Sequence, residues 1–272
     1  MLYIRLSGGL GNQIFQLGAG LILAKNNNIN KIIVDDSALG HCSVKRKNEL
    51  LNLFSLNISG VSVEYRTFFL SRYRIPKFSA FLTKRLSFIS DKNFTLSLKR
   101  SNLKNIYLDG YFQFILSQKI FEFSKNLMSN SLIKNEINKQ KENACVIHIR
   151  GGDFINLGWN EVTPAQYYID AIDMMTRKFG IKEFTIVTDD KAYAEFILNK
   201  LNYKFKFLLG NALDDFHTIS DFNYRILSSS TFSFWASAMG SNKKGGVIMP
   251  KFWLPGKERL LCLENEMRIK DY

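Results

Sequence analysis

Within six residues, His148-Ile149-Arg150-Gly151-Gly152-Asp153 places a histidine, an arginine, two glycines and an aspartate directly after the apolar run Ala144-Cys145-Val146-Ile147. A short apolar run rich in β-branched residues reads as a strand buried on both faces. Open α/β sheets bind ligands beyond the carboxyl ends of their strands, which is where Arg150 would stand. Its guanidinium offers a fixed fork of donors suited to a phosphate. Gly151 and Gly152 would let the backbone approach such a ligand closely. Asp153 can hold Arg150 in place or cap the segment after it. His148 has two readings, a catalyst or a satisfied core histidine on an apolar strand.

Three further groups carry similar chemistry. Ser228-Ser229-Ser230-Thr231-Phe232 sets four hydroxyls at a strand-to-helix turn, where they can cap the helix or meet a pyrophosphate. Val187-Thr188-Asp189-Asp190 puts two acids after another strand; Asp189 can accept hydrogen bonds from a base or ribose, and Asp190 can cap the next helix. Leu6-Ser7-Gly8-Gly9-Leu10-Gly11-Asn12-Gln13 is a strand-glycine-helix turn. It shares Gly9 and Gly11 with the dinucleotide fingerprint, but Ile14 stands where the third glycine belongs. Backbone N–H groups at such a helix start still favour an anion or polar ligand. Taken alone, the turn reads better as a plain connection of strand to helix. A metal site would want Asp-x-Asp or a His/acid cluster; the chain has no Asp-x-Asp, and no metal is expected.

The elements that would position these groups alternate. Strands are expected at 2–6 and 31–36 with a helix at 12–27 between them, and a short strand at 105–112. The stretch from about 40 to 105 reads as mostly helical. In the second half, strands at 144–149, 184–190, 204–209, 224–230 and 245–250 alternate with helices at 163–180, 191–201, 214–222 and 231–240. Thr163 is the expected N-cap of the first of these, Pro164 its first residue and Gly180 its stop. Alternation of this kind gives parallel sheets covered by helices. One glycine-turn start in each half suggests two Rossmann-like domains, 1–138 and 139–272, with a cleft between them as the ligand site.

At 272 residues with 46% hydrophobic content, the chain can bury two sizeable cores. No apolar run reaches the ~18 residues of a membrane span, and the start lacks the pattern of a signal peptide. Cys42, Cys145 and Cys262 are far apart and odd in number, so neither a disulfide framework nor a metal spacing is present. A cytoplasmic location is expected. The formal net charge of +13 is uneven: residues 1–135 hold 19 Lys and Arg against 7 acids, whereas 136–272 hold 18 against 17. Residues 65–104 mix basic and aromatic side chains with a single acid, Asp91. This is either a solvated basic face or a surface for an anionic membrane or nucleic acid.

Six motifs in order give the chain a resemblance to the α1,2-fucosyltransferases of glycosyltransferase family 11. Residues 8–16 (GGLGNQIFQ) resemble that family's opening motif. Residues 148–153 (HIRGGD) resemble its H-x-R-R-G-D motif, shared with α1,6- and protein-O-fucosyltransferases. LDGYFQ (108–113), VTDD (187–190), SSSTFSFWA (228–236) and PKFWL (250–254) also match.

The resemblance implies a GT-B fold, a GDP-fucose donor, no metal, and inverting transfer to the 2-hydroxyl of a terminal β-galactoside. By motif position, Arg150 would bind the donor diphosphate, and His148 would sit against the nucleotide or order Arg150. Ser230, Thr231 and Phe232 would line the phosphate side, and Asp189 would lie near the guanosine. Gly9, Gly11 and Asn12 would approach the fucose and acceptor from the N-terminal, acceptor-side domain. Asp153, Glu161 and His148 are the candidate bases, unless proton loss is late enough to need none. Gly151 stands where the family has a second arginine, for which Arg5 or residues 45–47 are possible substitutes. Without an anchor the chain resembles bacterial members that build lipopolysaccharide or capsular glycans. Its basic half then suggests peripheral contact with the inner membrane face and lipid-linked acceptors. A same-fold enzyme with another donor or linkage is the nearer alternative; a nucleic-acid- or membrane-binding protein without activity is the farther one. No nucleic-acid partner is expected.

Overall fold

The computed structural model describes residues 1–41, 46–67, 86–133, 143–240, 245–270 and 272. The chain forms two compact units, Met1–Ile133 and Lys134–Tyr272. The expected join at 138/139, Cys42, Lys45 and most of the basic stretch at 68–85 lie outside the described residues.

In the first unit, β1 (Leu2–Arg5), β2 (Lys31–Asp35), β3 (Asn57–Ile58), β4 (Val61–Arg66), β5 (Ser87–Ile89) and β6 (Ile106–Leu108) make one sheet. Its order is β3-β4-β2-β1-β6-β5, parallel except for the β3–β4 hairpin. The chain therefore builds outward from β1 on one side, then returns to the other. Between β1 and β2 runs α1 (Leu10–Asn26), buried from Leu10 to Ala24 except at Asn12, as an apolar sequence on all faces requires. A second helix, α2 (Gln118–Ser129), packs against α1.

The stretch from 40 to 105 departs from the helical expectation. Its described part is carried by β3, β4 and β5, with only single turns at Leu39–His41, Leu50–Leu53 and Phe94–Ser97. The reason is visible in Val61-Ser62-Val63: burial alternates along β4, the period of a half-buried strand. Ser59 and Gly60, both at positive φ, supply the two-residue hairpin turn that starts it.

The second unit contains β7 (Ala144–Ile149), β8 (Glu183–Thr188), β9 (Phe205–Leu208), β10 (Tyr224–Ile226), β11 (Val247–Ile248), a hairpin of β12 (Phe252–Leu254) and β13 (Lys257–Glu258), and β14 (Glu266–Met267). The main sheet runs β14-β11-β10-β7-β8-β9, and every described pairing in it is parallel. Helices α3 (Ala165–Phe179), α4 (Lys191–Leu198), α5 (Ala212–Asp221) and α6 (Thr231–Met239) cover it. Pro164, not Thr163, is the N-cap of α3; its extended ψ of 170° keeps it out of the helix, and Thr163 is buried at the end of the preceding 3-10 turn. Gly180 stops α3 in the left-handed conformation, as expected.

All six residues of β7 are buried. Cys145, Ile147 and Ile149 join the core with Tyr167, Ala171 and Ile172 of α3, so strand alternation turns His148 to the opposite face. Two buried arginines brace this unit. Arg225 donates to the carbonyls of Ser220 and Ser237, in the last turns of α5 and α6; the Ser237 carbonyl also accepts from the Gly240 N–H. Burial pushes its pKa down to about 9. Arg259 pairs with Glu266 on β14 through two hydrogen bonds of 2.6 and 2.9 Å, and donates to the carbonyl of Pro250.

Candidate active site

Each parallel sheet has one point where strand order reverses, and the loops leaving the two strands there diverge to open a crevice. In the second unit that point lies between β7 and β10. Arg150 follows β7, and Ser228-Ser229-Ser230 follows β10 into α6.

Arg150 makes ion pairs with Asp153 at 2.6 Å and with Asp189 at 2.8 Å. Its guanidinium carbon lies 5.3 Å from the centre of the Phe154 ring, and its Nε is shielded from solvent with no hydrogen-bond partner. The loop behind it hangs on the residues after β8. The Gly151 N–H donates to Asp189 Oδ1 at 2.9 Å, and the Gly152 N–H donates to Asp190 Oδ2 at 3.4 Å. Gly152 has φ 46° and ψ −119°, backbone that glycine adopts without strain. A Cβ on Gly151 would stand 2.5 Å from the Asp190 Cβ. A second arginine at this position therefore has no room in this loop. Asp190 also caps α4 by accepting from the Tyr193 N–H, as expected.

His148 is buried, with Nδ1 2.7 Å from Ser228 Oγ and its ring 5.7 Å from that of Phe232. Burial, helped by the nearby Arg150 charge, lowers its pKa to about 3. The ring is thus neutral near pH 7, and its conjugate acid is too strong for it to serve well as a proton acceptor. Ser230 caps α6 by accepting from the Phe232 N–H at 3.3 Å. Ser228, Ser229 and Ser230 are all buried, so of the hydroxyl run only Thr231 is partly exposed. The Ser229 hydroxyl is buried without a hydrogen-bond partner. Thus His148, Arg150, Asp153, Asp189, Ser230, Thr231 and Phe232 gather at one carboxyl edge. Glu161 lies exposed on the 3-10 turn Trp159–Val162.

The remaining candidates stand in the first unit, whose reversal point lies between β1 and β6. Gly9 is the N-cap of α1 with no side-chain cap, Gly11 is buried in its first turn, and Asn12 is partly exposed. Gly8, at φ 77°, makes the turn itself. The sequence reading misses two buried amides that organise this edge. Gln13 donates to the carbonyls of Gly8 and Lys47. Gln16 donates to Ser7 Oγ and to the Gly110 carbonyl, and accepts from the Ser7 N–H. Their signal is two glutamines three positions apart in an otherwise apolar helix. Arg5, one suggested replacement for the second arginine, is engaged by Asp109 at 3.3 Å.

Among the described residues no group of three or more His, Cys, Asp or Glu side chains could hold a metal ion, and no helix is long and apolar enough to cross a membrane.

Two parallel α/β units of this kind define the GT-B class of glycosyltransferases. The solved structures of fucosyltransferase NodZ from Bradyrhizobium share the fold, with a TM-score of 0.54 at 13% identity over 88% of this chain and 92% of that one. NodZ, an α1,6-fucosyltransferase, has also been solved soaked with GDP-fucose. The family model for glycosyl transferase family 11 matches residues 1–269, and the chain belongs to that family. Two Escherichia coli relatives align over nearly their whole length. The O-antigen biosynthesis glycosyltransferase WbnK is 28% identical over 95% of this chain and 96% of its own. An α1,2-colitosyltransferase is 25% identical over 98% of each.

Proposed function

We propose that this glycosyltransferase moves L-fucose from GDP-β-L-fucose to the 2-hydroxyl of a terminal β-galactoside, with inversion, in a bacterial surface glycan such as O-antigen. The observation that carries the reading is Arg150, partly exposed at the β7/β10 reversal point, with a helix start beside it. A departing GDP develops negative charge on its diphosphate, and preorganised donors there lower the barrier. Arg150 and the N–H groups at the start of α6 are those donors in this proposal, and Asp189 lies on the nucleoside side. The acceptor hydroxyl attacks from the opposite face of the sugar. His148 orders Ser228 and packs on Phe232; with its pKa near 3 it is not the base. The proton leaves to Asp153 or Glu161, or late to solvent. The charge being neutralised by side chains, no metal is required. The work of WbnK on O-antigen and the GDP-fucose soaked into NodZ support the acceptor class and the donor.

The colitosyltransferase relative favours one second reading, transfer of colitose with the same linkage. The test is GDP release from GDP-fucose in EDTA, with and without lactose, followed by product linkage analysis. Lactose-stimulated release and an α1,2 product support the reading. Hydrolysis without stimulation would remove the acceptor assignment, and no release would remove the donor. The basic first half is proposed to touch the cytoplasmic membrane face. Failure to co-sediment with anionic vesicles at low salt would overturn that part.

A further inference from the structure

The segment Asp109–Phe114, which overlaps the LDGYFQ motif at 109–113, has no role in the donor chemistry, yet it is held by many contacts at the second reversal point. It leaves β6 beside the glycine turn that leaves β1, on either side of the crevice that such a reversal opens. Gln16, fully buried, ties the two together through Ser7 and the Gly110 carbonyl. Asp109 is held by Arg5. The Asp91 carboxylate accepts two successive backbone N–H groups, from Tyr111 at 3.0 Å and Phe112 at 2.6 Å. A Cβ at Gly110 would lie 2.5 Å from Asp91 Oδ2, so this close grip needs glycine there.

Phe112 pays for the arrangement with a φ of 64°, an uncommon conformation for a bulky residue, while its ring is buried against Phe94 at 5.1 Å. Strained, over-determined backbone of this kind marks places where a side chain must be aimed. What the loop aims outward is aromatic: Tyr111 is 45% exposed and Phe114 37% exposed. Between them, Gln113 Oε1 is shielded from solvent and has no hydrogen-bond partner.

We infer that this loop is the acceptor-sugar platform, on which the Tyr111 ring stacks against the terminal galactose. A galactopyranose with its axial 4-hydroxyl gathers the C–H bonds of carbons 3, 4 and 5 on one face, leaving an apolar patch with polar edges. An exposed tyrosine on a backbone held by Asp91 presents the matching apolar face and polar tip. The inference rests on the galactoside-acceptor reading above, and its test separates the two.

Saturation-transfer NMR with lactose and the intact protein is the experiment. Saturation of the aromatic protons is expected to reach the galactose H3, H4 and H5 more strongly than the glucose ring. Tyr111→Ala is expected to lose at least tenfold of that transfer and to raise the KM for lactose at least tenfold, with the KM for GDP-fucose within twofold. Tyr111→Phe is expected to keep the transfer, which excludes a mere folding defect. Galactose-selective saturation with no fucose transfer would leave the platform standing and overturn the donor instead. Absence of the selective signal in the wild-type protein, or its survival in Tyr111→Ala, overturns the platform.

Discussion

The Asp189 carboxylate holds Arg150 at 2.8 Å through one oxygen and the Gly151 N–H at 2.9 Å through the other. Asp153 holds the same guanidinium through its second terminal nitrogen. The arginine assigned to the donor diphosphate is thus already matched by two carboxylates. In the proposed reaction donor binding becomes an exchange of partners, with the diphosphate competing against these carboxylates. The same competition would favour release of the nucleotide once the sugar has left.

Arg150→Ala is expected to lower turnover by about 100-fold or more, on the order of losing one strong charge-stabilising donor. Steady-state transfer from GDP-fucose to lactose measures it. Transfer near the wild-type rate would remove Arg150 from the leaving-group role.

Gly151→Arg restores the family's second arginine but is expected to harm the protein. Its Cβ would overlap Asp190, which caps α4 and holds Gly152. Overpacking of this kind costs about 1–3 kcal/mol. A lowered denaturant midpoint together with reduced transfer is the expected pair of results; an intact, faster enzyme would show that the loop rearranges freely.

Stability should respond to pH through three buried or half-buried groups. Burial raises Asp215 to about 6, with Asp214 and Asp189 adding repulsion, and burial raises Asp221 to about 6. Each binds its proton more tightly folded than unfolded. Each therefore favours the fold fully below about pH 4 and loses that contribution as pH rises through 6. His148, lowered to about 3, acts oppositely: its contribution is present above about pH 6.5 and is lost as pH falls. Asp215→Asn should raise the Tm at about pH 7.5 relative to wild type and lose that advantage at about pH 4.5. His148→Asn should flatten the fall in Tm below about pH 6.

Arg225→Met keeps much of the side-chain volume but strands the Ser220 carbonyl inside the protein, whereas the Ser237 carbonyl keeps the Gly240 N–H. At roughly 1–3 kcal/mol for an unsatisfied buried group, a loss of about 1–3 kcal/mol is expected in urea unfolding. A change under about 1 kcal/mol would mean that water or a neighbour replaces the guanidinium.

Much of the C-terminal edge is legible in the sequence because its signals are local. An apolar run ending in Arg150, Ser230 before an apolar helix and Asp190 before Lys191 each state their role within a few residues. The division of labour is less legible. Ser230 is consumed in capping α6, and Ser228 answers to His148, 80 positions away, which no spacing rule can show. Gln13 and Gln16 look like ordinary helix residues because their partners, Lys47 and Gly110, come from distant loops. The segment from 40 to 105 misleads because β3 and β5 are only two and three residues long. Only their pairing with neighbours, β3 on β4 and β5 on β6, makes them strands at all.

The buried Arg259–Glu266 pair carries a consequence for the protein's birth. Residues of the first unit all precede those of the second on the growing chain, so that unit can fold while synthesis continues. The second unit cannot finish in the same way. Until Glu266 emerges from the ribosome, Arg259 lacks its carboxylate and β11 lacks its outer neighbour, β14. A chain stalled or clipped before Glu266 would carry an uncompensated cation into its core. Quality control would meet it as a half-folded transferase whose first unit is complete and whose second unit never closes.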